Sequence, residues 1–458
     1  MKVAIFTESG AGFGLGHISR MRSLARSLKE YGAEVDFAPN REYRAEFAKD
    51  RGIAVVDSYS AAKDDYMKIL DVTGLLVSFD DYNRIAYPEG IVVNAAIDAE
   101  CLGYPQSDGL SYLLGSDYAM VRDGFSGDKK RIKEKMEKIL LIFGRDDSSQ
   151  SCKVVLRVLV DKFPQLTKVI IVGSGFGDVD LLEDIADNNT EFIFDPHADI
   201  LCKAMDDCDC AISSGGQTLH ELATRGVPTI GVCTTGNQLA NIKGLAKAAF
   251  LDYAANFDDK DLGKRIEDAV VKMMSADKRK TSSAIGHRLI DGKGSKRLAR
   301  SILSYAHRKK LSLRNAVFGD AQNIFNLANE EQVRANSFHP EPISWEDHLK
   351  WFENKLSDEK SLFLVIEEGG NFCGQLRFDL DKSRDTIGIS LAAPLRGLGL
   401  GSFILKKALK DLNMSNSIVA YVKDSNIASI KTFEAAGFSF VKNVDNCDCL
   451  SREYIYEK

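Results

Sequence analysis

The residues with the clearest chemical meaning form a glycine-rich turn that ends in a histidine, GFGLGHISR at positions 12–20. An apolar run at 3–6 predicts a strand before this turn, and apolar residues at helical spacing over 21–31 predict a helix after it. Glycines let the backbone approach a ligand, and the start of a helix offers free N–H groups to an anion. An imidazole titrates near neutral pH, so His17 could act as a general base. Such turns are also common in α/β folds, where the histidine can simply cap the helix.

The same strand–turn–helix pattern recurs at 213–223, with the sequence SSGGQTLHELA. Ser213, Ser214 and Gly215 follow a predicted strand and expose backbone N–H groups, which suits a diphosphate. Glu221 lies one turn into the helix, where it could accept hydrogen bonds from the two hydroxyls of a ribose. Alternatively, the serines cap the helix and Glu221 is a solvated carboxylate.

Two further polar pairs stand next to predicted strands. Asp80 and Asp81 end the apolar run that begins at Leu75, and Asn237 and Gln238 form a polar turn before a helix. Ligands of parallel sheets collect at the carboxyl ends of the strands, so these side chains could face a cleft. The alternative for either aspartate is that it caps the turn that follows it.

A third glycine turn, RGLGLG at 396–401, lies between a predicted strand at 386–391 and a predicted helix at 402–412. It again places free N–H groups at a helix start, the arrangement that binds a pyrophosphate. A predicted hairpin over 362–378 turns at Gly369 and Gly370, so this part of the chain departs from the alternation that precedes it.

The order of the predicted elements indicates three domains. Strands and helices alternate through two similar halves, which predicts two parallel sheets covered on both faces. A highly charged stretch at 129–138 is predicted to be helical and to link these halves, and 307–310 is predicted to link them to the third part. Two similar halves with glycine turns facing one cleft suit a nucleotide-linked substrate.

The composition is that of a globular protein. The chain has 458 residues, of which 44% are hydrophobic and 28% charged, which predicts two to four domains. A net charge of −6 gives no support for a nucleic-acid partner, and no apolar run is long enough to span a membrane. The N-terminus lacks a signal-peptide pattern, and the nine cysteines lack a zinc-type spacing. We therefore expect a cytoplasmic protein with reduced thiols, no membrane partner, no bound metal and an undetermined oligomeric state.

The third part of the chain resembles the GCN5-related N-acetyltransferase superfamily. The family pattern R-x-x-G-x-G is matched at 396–401, and a second pattern, N-x-x-(A/S)-x(3)-(Y/F)-x(3)-G-F, is matched at 426–438. The resemblance implies acetyl-CoA as cosubstrate and direct attack by a substrate amine. The cofactor-binding residues that it implies are Arg396, Gly397, Leu398, Gly399, Leu400, Gly401 and Asn426. Phe433 stands where the family often has a tyrosine general acid, and it has no proton to donate, so we assign it no catalytic role.

The chain up to about residue 305 contains G-x-G-H-x-x-R at 14–20, SFDD at 78–81, FG at 143–144, SS at 213–214 with Glu221, and NQ at 237–238. With these motifs it resembles the UDP-sugar hydrolases of pseudaminic acid biosynthesis, which are relatives of two-lobed nucleotide-sugar glycosyltransferases. The resemblance implies that His17 activates a water for attack at the anomeric carbon and that UDP leaves with inversion. Glu221 would bind the ribose, and the turn at 213–216 would bind the diphosphate. The family's usual G-G-x-D reads GRDD at 144–147. The implied substrate-binding residues are Gly14, Gly16, Arg20, Asp80, Asp81, Gly144, Ser213, Ser214, Gly215, Glu221, Asn237 and Gln238.

Together the resemblances predict a fold and a function. The predicted fold is α/β, a glycosyltransferase-B-type module of two Rossmann-like lobes at 1–132 and 133–307, followed by a mixed α+β acetyltransferase domain at 308–458. The predicted function is bifunctional, within nonulosonic (pseudaminic-type) acid biosynthesis. The C4 amine of a UDP-linked amino sugar would be acetylated with acetyl-CoA, and UDP would then be hydrolysed from the resulting UDP-2,4-diacetamido-2,4,6-trideoxyhexose.

Three alternatives remain open at this point. A glycosyltransferase-like enzyme would use the same cleft with a sugar acceptor in place of water. An enzyme of a legionaminic-type pathway would act on a sugar of different stereochemistry. A sugar-nucleotide sensor would bind the substrate without turnover.

Overall fold

The computed structural model describes residues 1–8, 16–38, 45–127, 130–143, 150–177, 179–381, 384–412, 416–446 and 449–457. The chain divides into two compact units, Met1–Ala299 and Arg300–Lys458. The first unit contains two six-stranded sheets, and the second contains one seven-stranded sheet.

The first sheet and its helices form the first lobe. Its elements are β1 (Lys2–Thr7), α1 (Gly16–Glu30), β2 (Glu34–Ala38), α2 (Ala45–Ala48), β3 (Ile53–Asp57), α3 (Lys63–Leu70), β4 (Leu76–Phe79), β5 (Gly90–Asn94) and β6 (Leu110–Leu114). The strands are all parallel, in the order β2-β1-β3-β4-β5-β6. β3 and β5 are buried at every residue, because a parallel sheet is covered on both faces.

The second sheet repeats this architecture and forms the second lobe. Its strands are β7 (Lys138–Ile142), β8 (Thr167–Val172), β9 (Thr190–Phe194), β10 (Cys210–Ser214), β11 (Thr229–Cys233) and β12 (Leu251–Asn256). They are all parallel, in the order β12-β11-β10-β7-β8-β9. Ile139 and Leu141 pack into one apolar cluster, and Leu140 and Ile142 into another on the opposite face. The prediction of two parallel sheets in similar halves is confirmed.

Helices lie between the strands of the second lobe and after its last strand. They are α4 (Ser151–Lys162), α5 (Val179–Glu183), α6 (Ala198–Asp207), α7 (Thr218–Thr224), α8 (Leu239–Lys247), α9 (Leu262–Met273), α10 (Ala276–Leu289) and α11 (Gly294–Arg308). The division between the two units falls within α11.

The helix predicted for the charged stretch before β7 is wrong for its described part, residues 130–137. The Asp209 carboxylate accepts hydrogen bonds from the N–H groups of 137–138, at 2.8 and 3.0 Å. Arg279 donates to the carbonyls of 133–134, at 2.9 and 3.0 Å. These tertiary hydrogen bonds hold an irregular backbone that leads into β7, and they outweigh the local helix propensity.

The second unit is built on a mixed sheet. Its elements are β13 (Leu311–Asn315), α12 (Ala321–Ala328), α13 (Glu331–Asn336), α14 (Trp345–Ser357), β14 (Ser361–Glu368), β15 (Asn371–Asp379), β16 (Arg384–Leu391), α15 (Leu400–Asp411), β17 (Ser417–Lys423), α16 (Ile427–Ala436), β18 (Ser439–Asn446) and β19 (Cys449–Tyr456). The strand order is β13-β14-β15-β16-β17-β19-β18, and only the β16–β17 pair is parallel.

Local sequence signals in this unit produce the expected geometry. Gly369 and Gly370 have φ of +57° and +83°, which suits the two-residue turn between β14 and β15. Ser344 Oγ accepts a hydrogen bond from the Asp347 N–H at 3.1 Å and so caps α14. The predicted hairpin is confirmed.

Candidate active sites

Gly16 and Gly215 follow strands that lie where the strand order of a sheet reverses. β1 has β2 on one side and β3 on the other, so the carboxyl ends of β1 and β3 lie side by side at one edge of the sheet. β7 and β10 have the same relation in the second sheet. Open parallel sheets bind ligands at such switch points, so the topology places His17, which follows β1, and Gly215, which follows β10, near expected binding positions.

His17 lies in the first turn of α1 and is 6% exposed. Its Nδ1 atom is 2.8 Å from Oδ1 of Asp57, the last residue of β3. Arg20, one helical turn further on, donates to the same carboxylate from Nε at 2.7 Å and from Nη2 at 2.5 Å. Asp57 therefore fixes the orientation of the imidazole, and the positive charge of Arg20 balances the negative charge of Asp57.

The charge on Asp57 determines which nitrogen of His17 is free. Burial would raise the pKa of Asp57, but the charges and hydrogen bonds of Arg20 and His17 lower it to about 2. An ionised carboxylate can only accept, so Nδ1 of His17 donates its proton to Asp57. In the neutral ring, Nε2 is then the nitrogen with the lone pair, which is the arrangement of a general base that can take a proton from water.

Asp81 and Tyr59 extend this cluster. Arg20 Nη1 donates to Asp81 Oδ1 at 3.2 Å, and the Tyr59 hydroxyl donates to Asp81 Oδ2. Burial would raise the pKa of Asp81, but Arg20 and Tyr59 lower it, so this side chain is a second carboxylate in the cluster. The Tyr59 ring meets the His17 ring edge-on, with 4.5 Å between centroids. The structure thus places Arg20 and Asp81 beside His17. We refer to His17, Arg20, Asp57, Tyr59 and Asp81 as the His17 cluster.

Sequence reasoning missed Asp57 and Tyr59. Asp57 follows a buried apolar strand, so the rule that singled out Asp80 and Asp81 applies equally to it. Tyr59 carries no comparable signal, because Glu8, a residue far away in the sequence, holds its loop. Glu8 accepts from the N–H groups of residues 59–60, at 3.1 and 2.9 Å.

Asp80 lies next to Asp81, but its carboxylate serves its own loop. Its oxygens accept from the N–H groups of residues 83–84, at 2.6 and 3.2 Å, and from the Tyr104 hydroxyl at 2.5 Å. The side chain is buried. The geometry therefore supports the alternative in which Asp80 shapes the turn after β4.

The second-lobe turn is built around Gly215. Its N–H donates to Gln238 Oε1 at 3.0 Å, so the structure brings these two predicted residues together. A Cβ atom at position 215 would lie 2.6 Å from Gln238 Cβ and 2.7 Å from Ile242 Cδ1, which leaves room only for glycine. Ser213 is buried, and its hydroxyl donates to the Ser214 carbonyl at 3.1 Å.

Glu221 forms an ion pair with Arg122 in the first unit. It is buried, and its two oxygens accept from Arg122, at 2.5 Å from Nε and 2.7 Å from Nη2. Burial raises the pKa of Glu221, although Arg122 opposes the shift. The carboxylate predicted to bind a ribose is therefore paired with an arginine, not solvated.

The two lobes approach each other at these turns. A Cβ atom at Gly16 would lie 3.8 Å from Oε1 of Gln217, which precedes α7. Burial lowers the pKa of His220 in α7, and the nearby Asp81 carboxylate of the first lobe opposes the shift. The His17 cluster and the second-lobe turn thus belong to one region of the first unit. Gly14, Gly144 and the side chain of Asn237 lie outside the described residues.

The glycine turn of the second unit begins α15. Gly397 and Gly399 have φ of +76° and +75°, a conformation that glycine adopts without strain, and Gly399 is the N-cap of α15. Leu398 and Leu400 are buried and anchor the turn. Free N–H groups at this helix start are suited to a phosphate group.

Arg396 acts on the backbone and on a neighbouring loop. Its Nε donates to the Leu391 carbonyl at 2.7 Å, at the end of β16. Nη1 donates to Gln332 at 3.0 Å, and Nη2 donates to Glu330 at 2.5 Å. The structure thus holds this predicted cofactor-binding side chain in contacts with the protein.

The second family pattern forms the start and the buried face of α16. Asn426 caps the helix by accepting from the Ser429 N–H at 3.1 Å. Phe433 is buried within the helix. A Cβ atom on Gly401 would lie 2.9 Å from Thr432 Cγ2, so α15 and α16 pack closely at this glycine. These residues of the pattern position the two helices.

β16 and β17 separate soon after they begin. They pair only at 384–386 with 417–419, although β16 continues to Leu391 and β17 to Lys423. Each strand keeps its other neighbour, β15 or β19. Backbone polar groups along the two inner edges therefore lack a strand partner, and an extended ligand with amide groups could satisfy them.

The comparisons identify the fold of this second unit. The family model described as "Acetyltransferase (GNAT) domain" matches residues 310–439. This region therefore has the fold of a GNAT acetyltransferase, and the match supports acetyl-CoA as its cosubstrate. The glycine turn and the separated strand edges fit such a ligand, since they offer N–H groups to a pyrophosphate and partners to an amide-bearing arm.

Three curated proteins show distant similarity. The uncharacterized protein MJ1062 of Methanocaldococcus jannaschii is 23% identical over 100% of this chain and 99% of that protein. Spore coat polysaccharide biosynthesis protein SpsG of Bacillus subtilis is 24% identical over 64% of this chain and 95% of SpsG. The pseudaminic acid cytidylyltransferase and UDP-2,4-diacetamido-2,4,6-trideoxy-beta-L-altropyranose hydrolase of Helicobacter pylori is 22% identical over 53% of this chain and 46% of that protein. The matches to SpsG and to the Helicobacter pylori protein each cover more residues than the second unit contains, so each match extends into the first unit.

Two kinds of feature are absent from the described residues. No group of three or more His, Cys, Asp or Glu side chains among them is placed to hold a metal ion. Every helix in the same ranges is too short or too polar to cross a membrane.

Proposed function

We propose that the chain is a bifunctional enzyme of nonulosonic acid biosynthesis. Its first unit removes UDP from a UDP-linked sugar, and its second unit acetylates an amine of the precursor. The observation that carries the hydrolase half is the His17–Asp57 pair, because it leaves Nε2 of His17 free as a base. The family match at 310–439 supports the acetyltransferase half. The distant similarities to sugar-biosynthesis proteins support the choice of substrate.

We assign the first unit to a glycosyltransferase-B-type arrangement. The two parallel sheets and the proximity of their glycine turns support lobes at 1–132 and 133–307, followed by the acetyltransferase domain at 308–458. In this arrangement the first lobe supplies the base and the second lobe binds the nucleotide. The sugar C1 atom would then lie between the His17 cluster and the second-lobe turn.

In the proposed hydrolysis, water attacks C1 of the sugar from the face opposite UDP. Nε2 of His17 takes a proton from the water as the bond from C1 to the diphosphate oxygen breaks. UDP leaves with the bonding electron pair, so the configuration at C1 inverts. Asp57 remains ionised and stabilises the imidazolium that forms, while Arg20 keeps Asp57 in place.

UDP binding in this pose requires a local rearrangement. We assign the diphosphate to the N–H groups of 213–216 and the ribose to Glu221. Gly215 now donates to Gln238, and Glu221 now accepts from Arg122. Both contacts must be released or shared when the nucleotide binds.

In the proposed acetyl transfer, the C4 amine attacks the acetyl carbonyl carbon. The new C–N bond forms as the C–S bond breaks, and the amine gives its proton to water. The N–H groups of 397–401 would hold the pyrophosphate of acetyl-CoA, and the open edges of β16 and β17 would hold its amide-bearing arm. Phe433 cannot protonate the departing thiolate, so water or another group supplies that proton, or the step does not limit the rate.

The decisive experiment combines the protein with acetyl-CoA and candidate UDP-4-amino-4,6-dideoxy sugars. We expect CoA, UDP and a free diacetamido sugar, identified by mass spectrometry, with inverted C1 in early NMR spectra. The sugar that is turned over distinguishes a pseudaminic-type from a legionaminic-type substrate. Sugar transfer that requires an added sugar acceptor would indicate a glycosyltransferase. Binding of UDP-sugars without any turnover would contradict both activities and favour a sensor.

A further inference from the structure

The arginine within the glycine turn of the second unit is not free for a phosphate group. Arg396 uses Nε on the Leu391 carbonyl, Nη1 on Gln332 and Nη2 on Glu330. Any cation that assists the N–H groups of this turn must therefore come from another element.

That element is α11, which precedes the region matched by the family model. A Cβ atom on Gly399 would lie 2.9 Å from Nη2 of Arg300 and 3.7 Å from its Cζ. The guanidinium group of Arg300 therefore lies on the backbone of the turn, at the N-terminus of α15. Arg300 is itself exposed, so the group is open to a ligand.

A second arginine of α11 adds to the positive charge. Cζ of Arg308 lies 5.0 Å from the centroid of the Phe403 ring in α15. Burial and the like charge of Arg300 lower the pKa of Arg308. Within the described part of the chain, no carboxylate forms an ion pair with either guanidinium group. Two neighbouring like charges without a counter-charge are suited to a polyanionic ligand.

We propose that Arg300 binds the diphosphate of acetyl-CoA and that Arg308 supplies a second positive charge to the same site. The inference rests on acetyl-CoA as the cosubstrate of the second unit, and it adds binding residues from a helix outside 310–439. A guanidinium group pairs with two phosphate oxygens at once, so it complements the backbone N–H groups at a helix start.

The test measures binding of CoA and of phosphate-free pantetheine to the full chain by isothermal titration calorimetry. We expect Arg300→Gln to weaken CoA binding at least tenfold and to leave pantetheine binding unchanged. The CoA affinity of Arg300→Lys should lie between those of the wild type and Arg300→Gln, because lysine keeps the charge but cannot pair with two phosphate oxygens at once. Arg308→Gln should weaken CoA binding by a smaller factor. Lys410→Gln, which removes the same charge at the far end of α15, should leave CoA affinity within twofold.

Equal CoA affinity in wild type and Arg300→Gln would overturn the inference. Equal losses for CoA and pantetheine would also overturn it, since they would indicate a structural role. Arg300 is exposed, so we expect its variants to unfold at the wild-type temperature, which thermal melts would check. Failure of the wild type to bind CoA would remove the cosubstrate and the inference together. If the wild type binds CoA and the Arg300 variants bind it equally well, only the role of Arg300 is refuted, and acetyl-CoA remains the cosubstrate.

Discussion

An imidazole becomes a directed base only when one of its ring nitrogens is held, and Asp57 holds Nδ1 of His17 at 2.8 Å. The carboxylate is buried, so it would be costly to leave unpaired, and Arg20 supplies the opposite charge. We therefore expect the side chains of His17, Asp57 and Arg20 to act together as one catalytic group. The effect of changing any member should appear first in UDP release.

The Asp57→Asn variant tests whether Asp57 orients His17. An amide can donate as well as accept, so it no longer enforces the tautomer with a free Nε2. We expect UDP release at neutral pH to fall by roughly 10²-fold or more, by analogy with the loss of a tautomer-fixing aspartate elsewhere. Acetyl transfer should not change. Steady-state assays of both reactions measure the effect, with Asp64→Asn on the exposed side of α3 as control; a wild-type rate of UDP release in Asp57→Asn would refute the assignment.

The low pKa of Asp57 also predicts a pH dependence of stability. The folded pKa of about 2 is below the ordinary value of 3.8, so ionisation of Asp57 stabilises the folded state above the ordinary pKa. This contribution is lost as pH falls from about 4 towards 2, and it is constant above about pH 5. Urea unfolding across this range should show a steeper loss of unfolding free energy in the wild type than in Asp57→Asn. Parallel curves would contradict the shift.

At the scale of elements, the turns depend on the space that glycine leaves. The second-lobe turn packs against α8 through Gly215, and α15 packs against α16 through Gly401. A side chain at either position would move an element that carries proposed ligand-binding N–H groups. The two glycines therefore offer separate tests of the two sites.

Gly215→Ala should disturb the second-lobe turn. The new methyl group would lie within 2.7 Å of Gln238 and Ile242, so the turn or α8 must shift. We expect a loss of roughly 1–3 kcal/mol in stability, typical of overpacking, together with weaker UDP binding. Thermal unfolding and UDP titration measure these effects. Gly216→Ala is the stability control, because its Cβ would meet nothing within 4 Å, and equal melting of both variants would count against the packing argument.

Gly401→Leu should affect the second unit. Its Cβ would lie 2.9 Å from Thr432 Cγ2, so the added side chain would push α15 away from α16. We expect CoA affinity and acetyl transfer to fall by at least about tenfold, or roughly 1.4 kcal/mol. UDP release from an already acetylated UDP-sugar should persist. Gly319→Leu adds the same side chain at an open position of this unit, and similar losses in that variant would show that the effect is not specific.

At the scale of the whole molecule, one chain combines two proposed reactions on one substrate. His17→Ala should therefore separate them. We expect UDP release to fall by about 10²–10⁴-fold, the usual contribution of a general base, while acetylation continues. Acetylated UDP-sugar should then accumulate, as followed by liquid chromatography with mass spectrometry. His197→Ala on an exposed position is the control, and undiminished UDP release in His17→Ala would show that the base lies elsewhere.

Local patterns were sufficient for much of the architecture. Continuous apolar runs indicated the buried strands, because parallel strands covered on both faces have no polar side. Glycines followed by apolar helices located the turns, because positive φ and close packing favour glycine strongly. The hairpin at Gly369 and Gly370 followed for the same local reason.

The partner of each polar group could not be read from such patterns. Asp57 lies forty positions from His17, and Arg122 lies ninety-nine positions from Glu221. Chain topology brings these groups together, and their burial then sets which atoms remain free for a substrate. The charged stretch at 130–137 is irregular for a related reason, since Asp209 and Arg279 satisfy its backbone from distant elements. Glycines and apolar runs act through their own conformations and hydrophobicity, whereas carboxylates and guanidinium groups act through whichever neighbours the folded chain provides.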